Sequence, residues 1–360
     1  MTQAVLLVGG QGTRLRPLTV VTPKPLLPVA GVPFLRHVLA RAGAAGVTRV
    51  VLATSYRAEV FAEYLSDSAD LGLDLVHTVE EVPLGTGGAV RHAAGLLTCG
   101  PDDPVLVFNG DILSGVDLAG LVSAHHDARA DATLHLTRVE DPRAFGLVPT
   151  DETGRVLAFT EKPQRPEQVV TDQVNAGCYV FTRAVIDEIP AGRPVSVERE
   201  TFPALLAAGR PLQGVVDETY WLDIGSPAAY VRGSADLVLG RVGSPALPGT
   251  PGERLVMPGA SVDPSAVVTG GSTVGPRACV GADAVVDGSV LLEGAVVEAG
   301  ARVRASAVGA GATVGAGTVL DGAVLGDRVT VGPGNELLGG VRVWPGAEIA
   351  AGAVRFSSDA

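Results

Sequence analysis

From Val262 onward, aliphatic residues recur at every sixth position: Val268, Val274, Val280, Val286 and Leu292 follow. Five-residue steps then lead to Val297 and Val303, to Val308, Val314 and Leu320, and to Leu325, Val331, Leu337, Val343 and Ile349. Small residues and glycines fill most positions between. A sustained period of six predicts a parallel β-helix, in which each triangular coil takes about three hexapeptides and stacks its aliphatic side chains in one column. About five coils are expected over residues 260–354. All six histidines (His37, His77, His92, His125, His126, His135) precede this region. The repeat therefore lacks an imidazole proton acceptor and reads as an assembly or regulatory module.

The first 239 residues follow another rhythm. Helical spacing of apolar residues over 34–46 is followed by a strand-like run at 48–55 and a helix at 58–66. Further strands are expected at 73–77, 104–109, 133–137 and 178–181, with helices at 89–97 and 117–126. Strands alternating with helices predict an α/β domain with a Rossmann-like, mainly parallel sheet. A Pro/Gly-rich stretch at 240–259 reads as a linker. At 360 residues the chain has room for two domains.

The strongest chemical signal lies at the amino end. An apolar run at 4–8 has the length of a buried strand, and Gly9, Gly10 and Gly12 follow at once. Such glycines let backbone N–H groups turn toward an anion. Arg14 and Arg16 add charge, and Lys24 stands between two prolines. This is the layout of a phosphate site. It is neither a P-loop, since Gly12 is followed by Thr13 and Arg14, nor a dinucleotide fingerprint, which needs a third glycine three positions after the second, where Leu15 stands.

Lysine use points the same way. Of 27 basic residues only Lys24 and Lys162 are lysine. Where arginine serves as the general cation, a retained ammonium suggests a need for a compact point charge. A net charge of −12 argues against nucleic acid or an anionic membrane as partner. No apolar run approaches the roughly 18–20 residues of a membrane span. Three widely spaced cysteines (Cys99, Cys178, Cys279) fit no metal or redox motif. With no signal-peptide pattern at the start, a cytoplasmic protein is expected.

Two carboxylates stand out: Asp111, after the run at 105–108 in Asn109-Gly110-Asp111, and Asp223, between apolar residues in Tyr220-Trp221-Leu222-Asp223-Ile224-Gly225. An unpaired carboxylate in apolar surroundings is costly, so a cation beside Asp223 is expected. A second glycine-rich turn, from Glu80 through Pro83, Gly85 and Thr86 to Gly88, is expected to open the helix near Ala89.

The strings GGQGTRLRPLT, PKPLLPVAG, NGD, YWLDIGSP and EEVPLGTGG, with FGLV, EKP and NAG further on, resemble the sugar-1-phosphate nucleotidyltransferases. They occur in family order over residues 4–230 and look most like the mannose-1-phosphate guanylyltransferase branch. The hexapeptide repeat resembles the left-handed β-helix appended to many members. The resemblance implies a nucleoside triphosphate and a sugar 1-phosphate as substrates. Gly9, Gly10, Gly12, Thr13, Arg14, Glu80, Pro83, Gly85, Thr86 and Asn109 would bind nucleotide. Gly146, Glu161, Lys162 and Asn175 would bind the sugar phosphate, and Asp111 with Asp223 would hold Mg²⁺. Arg14, Lys24 and Lys162 would be catalytic, and the segment 196–203 would give structural support.

A phosphate nucleophile is already ionised at pH 7, so this reaction needs no general base. Three alternatives stand beside transfer from GTP to mannose 1-phosphate. One is the same transfer to a cyclitol phosphate such as valienol 1-phosphate. Another is thymidylyl or uridylyl transfer to glucose 1-phosphate. The third is a non-catalytic regulatory relative that binds nucleotide sugar. A homo-oligomer is expected, because β-helix faces often pack on a second copy.

Overall fold

The structure, a computed structural model, describes residues 2–54, 58–66 and 69–355. Ser55, the last residue of the run expected as a strand at 48–55, lies outside them. By contacts the chain divides into two compact units: Met1–Gly10 with Val38–Trp221, and Gln11–His37 with Leu222–Ala360.

The first unit is built on a nine-stranded sheet. Its strands are β1 (Thr2–Leu7), β2 (Val47–Thr54), β3 (Asp74–Val79), β4 (Pro104–Asn109), β5 (Ala132–Arg138), β6 (Gly146–Leu147), β7 (Thr160–Glu161), β8 (Gln173–Thr182) and β9 (Leu212–Val216). β4, β1, β2 and β3 run parallel in that order. β8 then lies antiparallel to β4 and to β5, and β9 runs parallel to β5. Ala4, Val5 and Leu6 are fully buried, as a strand covered on both faces requires. Val5, Val51 and Val107 share one core with Val90 and Ala93 of the helix Gly85–Ala93.

That helix begins four residues before the expected Ala89 and ends in a short 3-10 turn, Ala94–Leu96. The glycines expected to form the turn before it are its first turns. Their lack of side chains serves packing. A Cβ on Gly87 would stand 3.0 Å from the Val195 side chain, and one on Gly88 2.9 Å from the Arg193 carbonyl.

In the second unit the repeat forms a left-handed parallel β-helix of three sheets, with six, six and five strands. One column stacks Val262, Val280, Val297, Val314, Val331 and Ile349. A second stacks Val268, Val286, Val303, Leu320 and Leu337. The third runs Val256, Val274, Leu291, Val308, Leu325 and Val343. Leu291, not the expected Leu292, takes the inward place, so the first five-residue step falls after Val286. Those shortened corners are closed by hydroxyls. Ser289 N–H donates to Ser272 Oγ, Ser306 N–H to Ser289 Oγ, and Ala323 N–H to Ser306 Oγ. The strand Arg254–Val256, inside the stretch read as a linker, opens the third column.

The tail of the amino-terminal motif belongs to this same unit. Pro28–Val29 pairs with Val32–Pro33 around Ala30 and Gly31, whose φ values of 45° and 83° make a left-handed two-residue turn. Tyr230 OH donates to the Pro28 carbonyl at 2.5 Å, and Ala30 N–H donates to Ser234 Oγ at 2.9 Å. Both partners lie on the helix Pro227–Val238. A Cβ at Gly31 would sit 2.5 Å from Met257 Sδ, so no other residue fits there without movement.

Candidate active site

In the first unit, the glycine turn and the Asn109–Asp111 segment leave the carboxyl ends of two adjacent parallel strands, β1 and β4. That is where α/β sheets bind ligands. Gly110 N–H donates to the Leu7 carbonyl at 2.9 Å, and a Cβ there would stand 2.5 Å from that oxygen. Only glycine lets the chain cross β1 so closely and present Asp111 beyond it. Asn109 lies against Gly177, where a Cβ would meet its Nδ2 at 2.8 Å. Gly9 and Gly10 are exposed, and a Cβ on Gly10 would meet nothing within 4 Å.

Glu80 follows β3 and is buried. Its Oε2 accepts from Leu84 N–H at 2.9 Å, closing the loop that holds Pro83. Gly85 adopts φ 69°, and a Cβ there would reach 2.6 Å from the Val195 carbonyl, so both its backbone and its packing call for glycine. The Thr86 hydroxyl donates to Glu198 Oε2 at 2.8 Å and accepts from Val197 N–H at 2.9 Å. Glu80 and Thr86 thus both have structural roles, since they shape the loop and tie it to the segment 195–198.

A second cluster gathers Gly146, Glu161, Lys162 and Asn175. Gly146 is paired with Glu161, and a Cβ there would lie 2.7 Å from Glu161 Oε2. Lys162, at φ 47°, donates its N–H to the Phe145 carbonyl, and its Nζ stands 3.8 Å from Glu161 Oε1. Asn175 Nδ2 donates to Tyr179 OH at 2.7 Å, while its Oδ1 accepts from Gly177 N–H. Those bonds span the irregular stretch of β8 between Asn175 and Tyr179. Trp221 Nε1 donates to the Ala176 carbonyl, and its ring meets Phe145 edge-on at 5.5 Å. Burial, then the nearby Glu198 carboxylate, raises the Glu161 pKa above the usual carboxylate range. Sequence reading gave Glu198 no chemistry: in Ser196-Val197-Glu198-Arg199-Glu200 nothing distinguishes it from its charged neighbours.

The second unit carries Arg14 and Lys24. Thr13–Leu15 forms one tight turn after Gly12, whose φ is 60°. A Cβ on Gly12 would press on Lys24 Cβ and Thr19 Cγ2, each at 3.1 Å. Lys24 Nζ stands 3.9 Å from Asp223 Oδ1, and Arg14 Nη2 stands 4.0 Å from Asp223 Oδ2. The cation expected beside Asp223 is therefore two cations. The Lys24 side chain is 11% exposed and that of Arg14 72%.

Among the described residues no group of three or more His, Cys, Asp or Glu is gathered around a common point. Mg²⁺ needs no such cage, because it keeps several waters and takes one or two carboxylates plus phosphate oxygens. Asp111 in the first unit and Asp223 in the second each carry hard oxygens of the kind it takes. No helix among the described residues is long and apolar enough to cross a membrane. All three cysteines are free.

Glycine turns and a carboxylate at strand ends in the first unit, and in the second a carboxylate set between an ammonium and a guanidinium, are each features that suit a protein handling phosphate groups. Residues 3–238 match the nucleotidyl transferase family, and residues 250–355 match the GMPPB C-terminal domain. The chain belongs to the nucleotidyl transferase family and is a nucleotidyltransferase. It is 54% identical, over 99% of its length and 98% of the relative's, to the mannose-1-phosphate guanylyltransferase of Mycobacterium tuberculosis. Identity is 39%, over 72% of this chain and 70% of the relative, to the mannose-1-phosphate guanylyltransferase catalytic subunit beta of Drosophila pseudoobscura pseudoobscura. Among solved structures, HddC from Yersinia pseudotuberculosis resembles it with a TM-score of 0.56 and 27% identity, covering 65% of this chain and 98% of HddC. HddC has also been solved in complex with GMP-PN.

Proposed function

We propose that this enzyme transfers the guanylyl group of GTP to mannose 1-phosphate, giving GDP-mannose and pyrophosphate. The observation that carries the reading is 54% identity across 99% of the chain to a relative named for that reaction. The GMP-PN complex of a structural neighbour supports the guanine base.

In the proposed reaction a phosphate oxygen of mannose 1-phosphate attacks the α-phosphorus of GTP. The bond from the α-phosphorus to the bridging oxygen breaks, and pyrophosphate leaves with the electron pair. No proton need be removed, so positioning and charge carry the catalysis. N–H groups of the turn at 9–12, with Thr13 and Arg14, would hold the leaving phosphates. Lys24, held close to Asp223, would bridge the two reacting phosphates. Lys162 would hold the sugar phosphate, with Gly146, Glu161 and Asn175 around the sugar. Glu80, Pro83, Gly85, Thr86 and Asn109 would frame the base and nucleoside. Since the Thr86 hydroxyl already serves Glu198 and Val197, its part falls to the backbone. Asp111 and Asp223 would hold Mg²⁺, which when bound withdraws charge from the α-phosphate. We place the enzyme in the cytoplasm and in a homo-oligomer; the free cysteines support the former.

Pyrophosphate release tests this with Mg²⁺ present, crossing GTP, dTTP, UTP, ATP and CTP with mannose, glucose and valienol 1-phosphates. A maximum at GTP with mannose 1-phosphate is expected. Turnover only with the cyclitol phosphate, or only with dTTP or UTP and glucose 1-phosphate, overturns the substrate assignment and keeps the chemistry. Silence across the grid from folded protein overturns both.

A further inference from the structure

The Arg14 side chain is 72% exposed, and its ion contact with Asp223 is 4.0 Å long. A side chain so lightly packed takes its position from its backbone. That backbone is fixed from within by Leu15, 1% exposed, and by Leu15 N–H to the Gly12 carbonyl and Arg16 N–H to the Thr13 carbonyl. Thr19 Oγ1 also donates to the Gly12 carbonyl at 2.7 Å. The carbonyls of Arg14 and Arg16 look elsewhere. Both accept from one atom, Nη1 of Arg342, at 2.9 and 3.1 Å. Arg342 lies 328 residues further on, in the β-helix strand Arg342–Val343.

Val343 points inward in that strand and is 8% exposed, so alternation turns Arg342 outward. The strand's place is fixed by its pairing with Val324–Leu325 of the coil before it. A rigid stack thus presents a permanently charged donor to two carbonyls flanking Leu15. Charge-assisted hydrogen bonds of this kind are stronger than neutral ones.

We propose that Arg342 is a positioning residue for nucleotidyl transfer: the β-helix braces the loop that carries Arg14. This rests on the reading of Arg14 as a ligand of the leaving phosphates. It gives the repeat domain a part in the reaction of the chain that carries it.

The test uses full-length Arg342→Met, which keeps the apolar stem and removes the donors, with Arg342→Ala and Arg342→Lys beside it. Both carbonyls are exposed to water once Arg342 is gone, so the unfolding midpoint is expected to stay at the wild-type value. In Arg342→Met, kcat/KM for the nucleotide should fall roughly 3- to 10-fold, the effect of one net neutral hydrogen bond, because both charge-assisted bonds are solvent-exposed and water replaces much of what they give. KM for the sugar phosphate should not move. Arg342→Lys, whose ammonium can still donate to both carbonyls, should recover part of the loss. In an Arg14→Ala background the same change should have no further effect on nucleotide Kd, which needs no turnover to measure. Wild-type kinetics in Arg342→Met, or an equal loss in both backgrounds, overturns the brace. Wild-type turnover in Arg14→Ala alone overturns instead the reading of Arg14, and the two failures appear in different variants.

Discussion

Gly10 separates what the fold needs from what a ligand needs. Its φ lies outside the left-handed range, it is exposed, and an added Cβ would find nothing within 4 Å. The protein on its own therefore gives no reason for glycine here. Gly10→Ala should be neutral or stabilising, by about 0.4–1 kcal/mol from a less free unfolded chain. At about 2–4 °C per kcal/mol that raises the unfolding midpoint by roughly 1–4 °C. Activity should go the other way. An N–H bonded to a phosphate oxygen holds it about 2.9 Å from nitrogen, whereas a methyl carbon keeps an oxygen at roughly 3.5 Å. A phosphate oxygen that approaches on the Cβ side must then retreat by a fraction of an ångström, and a misplacement near 1 Å can cost about 100-fold.

The assay is kcat/KM for GTP by pyrophosphate release, beside calorimetric unfolding of the same preparation. Gly110→Ala is the contrast. Its added Cβ would stand 2.5 Å from the backbone carbonyl of Leu7, which cannot swing aside, and its N–H bond to that carbonyl would stretch. It should lose about 1–3 kcal/mol of stability as well as activity. Full activity in Gly10→Ala refutes the assignment of that backbone to phosphate. A fall in its unfolding midpoint refutes the claim that the space is open.

Asp223→Ala should abolish turnover at every Mg²⁺ concentration, and near-normal turnover would remove Asp223 from the metal site. Lys24→Arg should lose most activity although charge is kept, because Lys24 packs at 11% exposure against Gly12 and a wider fork does not fit; a wild-type rate would show that any cation serves. Glu198→Gln removes one of the causes that raise the Glu161 pKa, so any acid limb of the pH–rate profile owed to Glu161 should move to lower pH; an upward shift would contradict the geometry. Burial holds His37, His125 and His135 neutral down to about pH 4, below the unfolded value of 6.5. The unfolded chain takes up protons first as pH falls, so stability complete above 6.5 should drain away between 6.5 and about 4. Each tenfold difference in proton affinity between the folded and unfolded chain is worth about 1.4 kcal/mol. Replacing His135 by Gln should flatten that loss in denaturant titrations at pH 7 and 4.5.

How legible the chain was depended on whether a residue's role is periodic, local or long-range. The β-helix could be read because each coil repeats the same burial requirement. Its one slip, Leu292 for Leu291, arose where the period alone did not say which corner is short; Ser289 and Ser306 stand at the first two of those corners and bond between coils. The longer strands were legible as apolar runs, whereas Gly146–Leu147, Thr160–Glu161 and Leu212–Val216 were not expected, the first two being only two residues long; the helix at Gly85–Ala93 was misread because glycine there looked like a turn residue when it was a packing surface. The candidate site divides the same way. A cation beside Asp223 could be expected, since a carboxylate among apolar residues demands one; that the cations are Lys24 and Arg14 is told only by the fold. Arg342 could not be expected. It is an outward arginine in a repeat whose outward positions carry no pattern, and its partners are carbonyls, which every residue has. A motif shows which residues are constrained without saying by what: Thr86 is held by Glu198 and Val197, Gly31 by Met257, and Gly10 by nothing in the folded chain. Because no contact inside the folded chain requires glycine at position 10, Gly10→Ala tests the proposed phosphate contact with little change to packing, which makes Gly10 a sharper probe than the charged residues beside it.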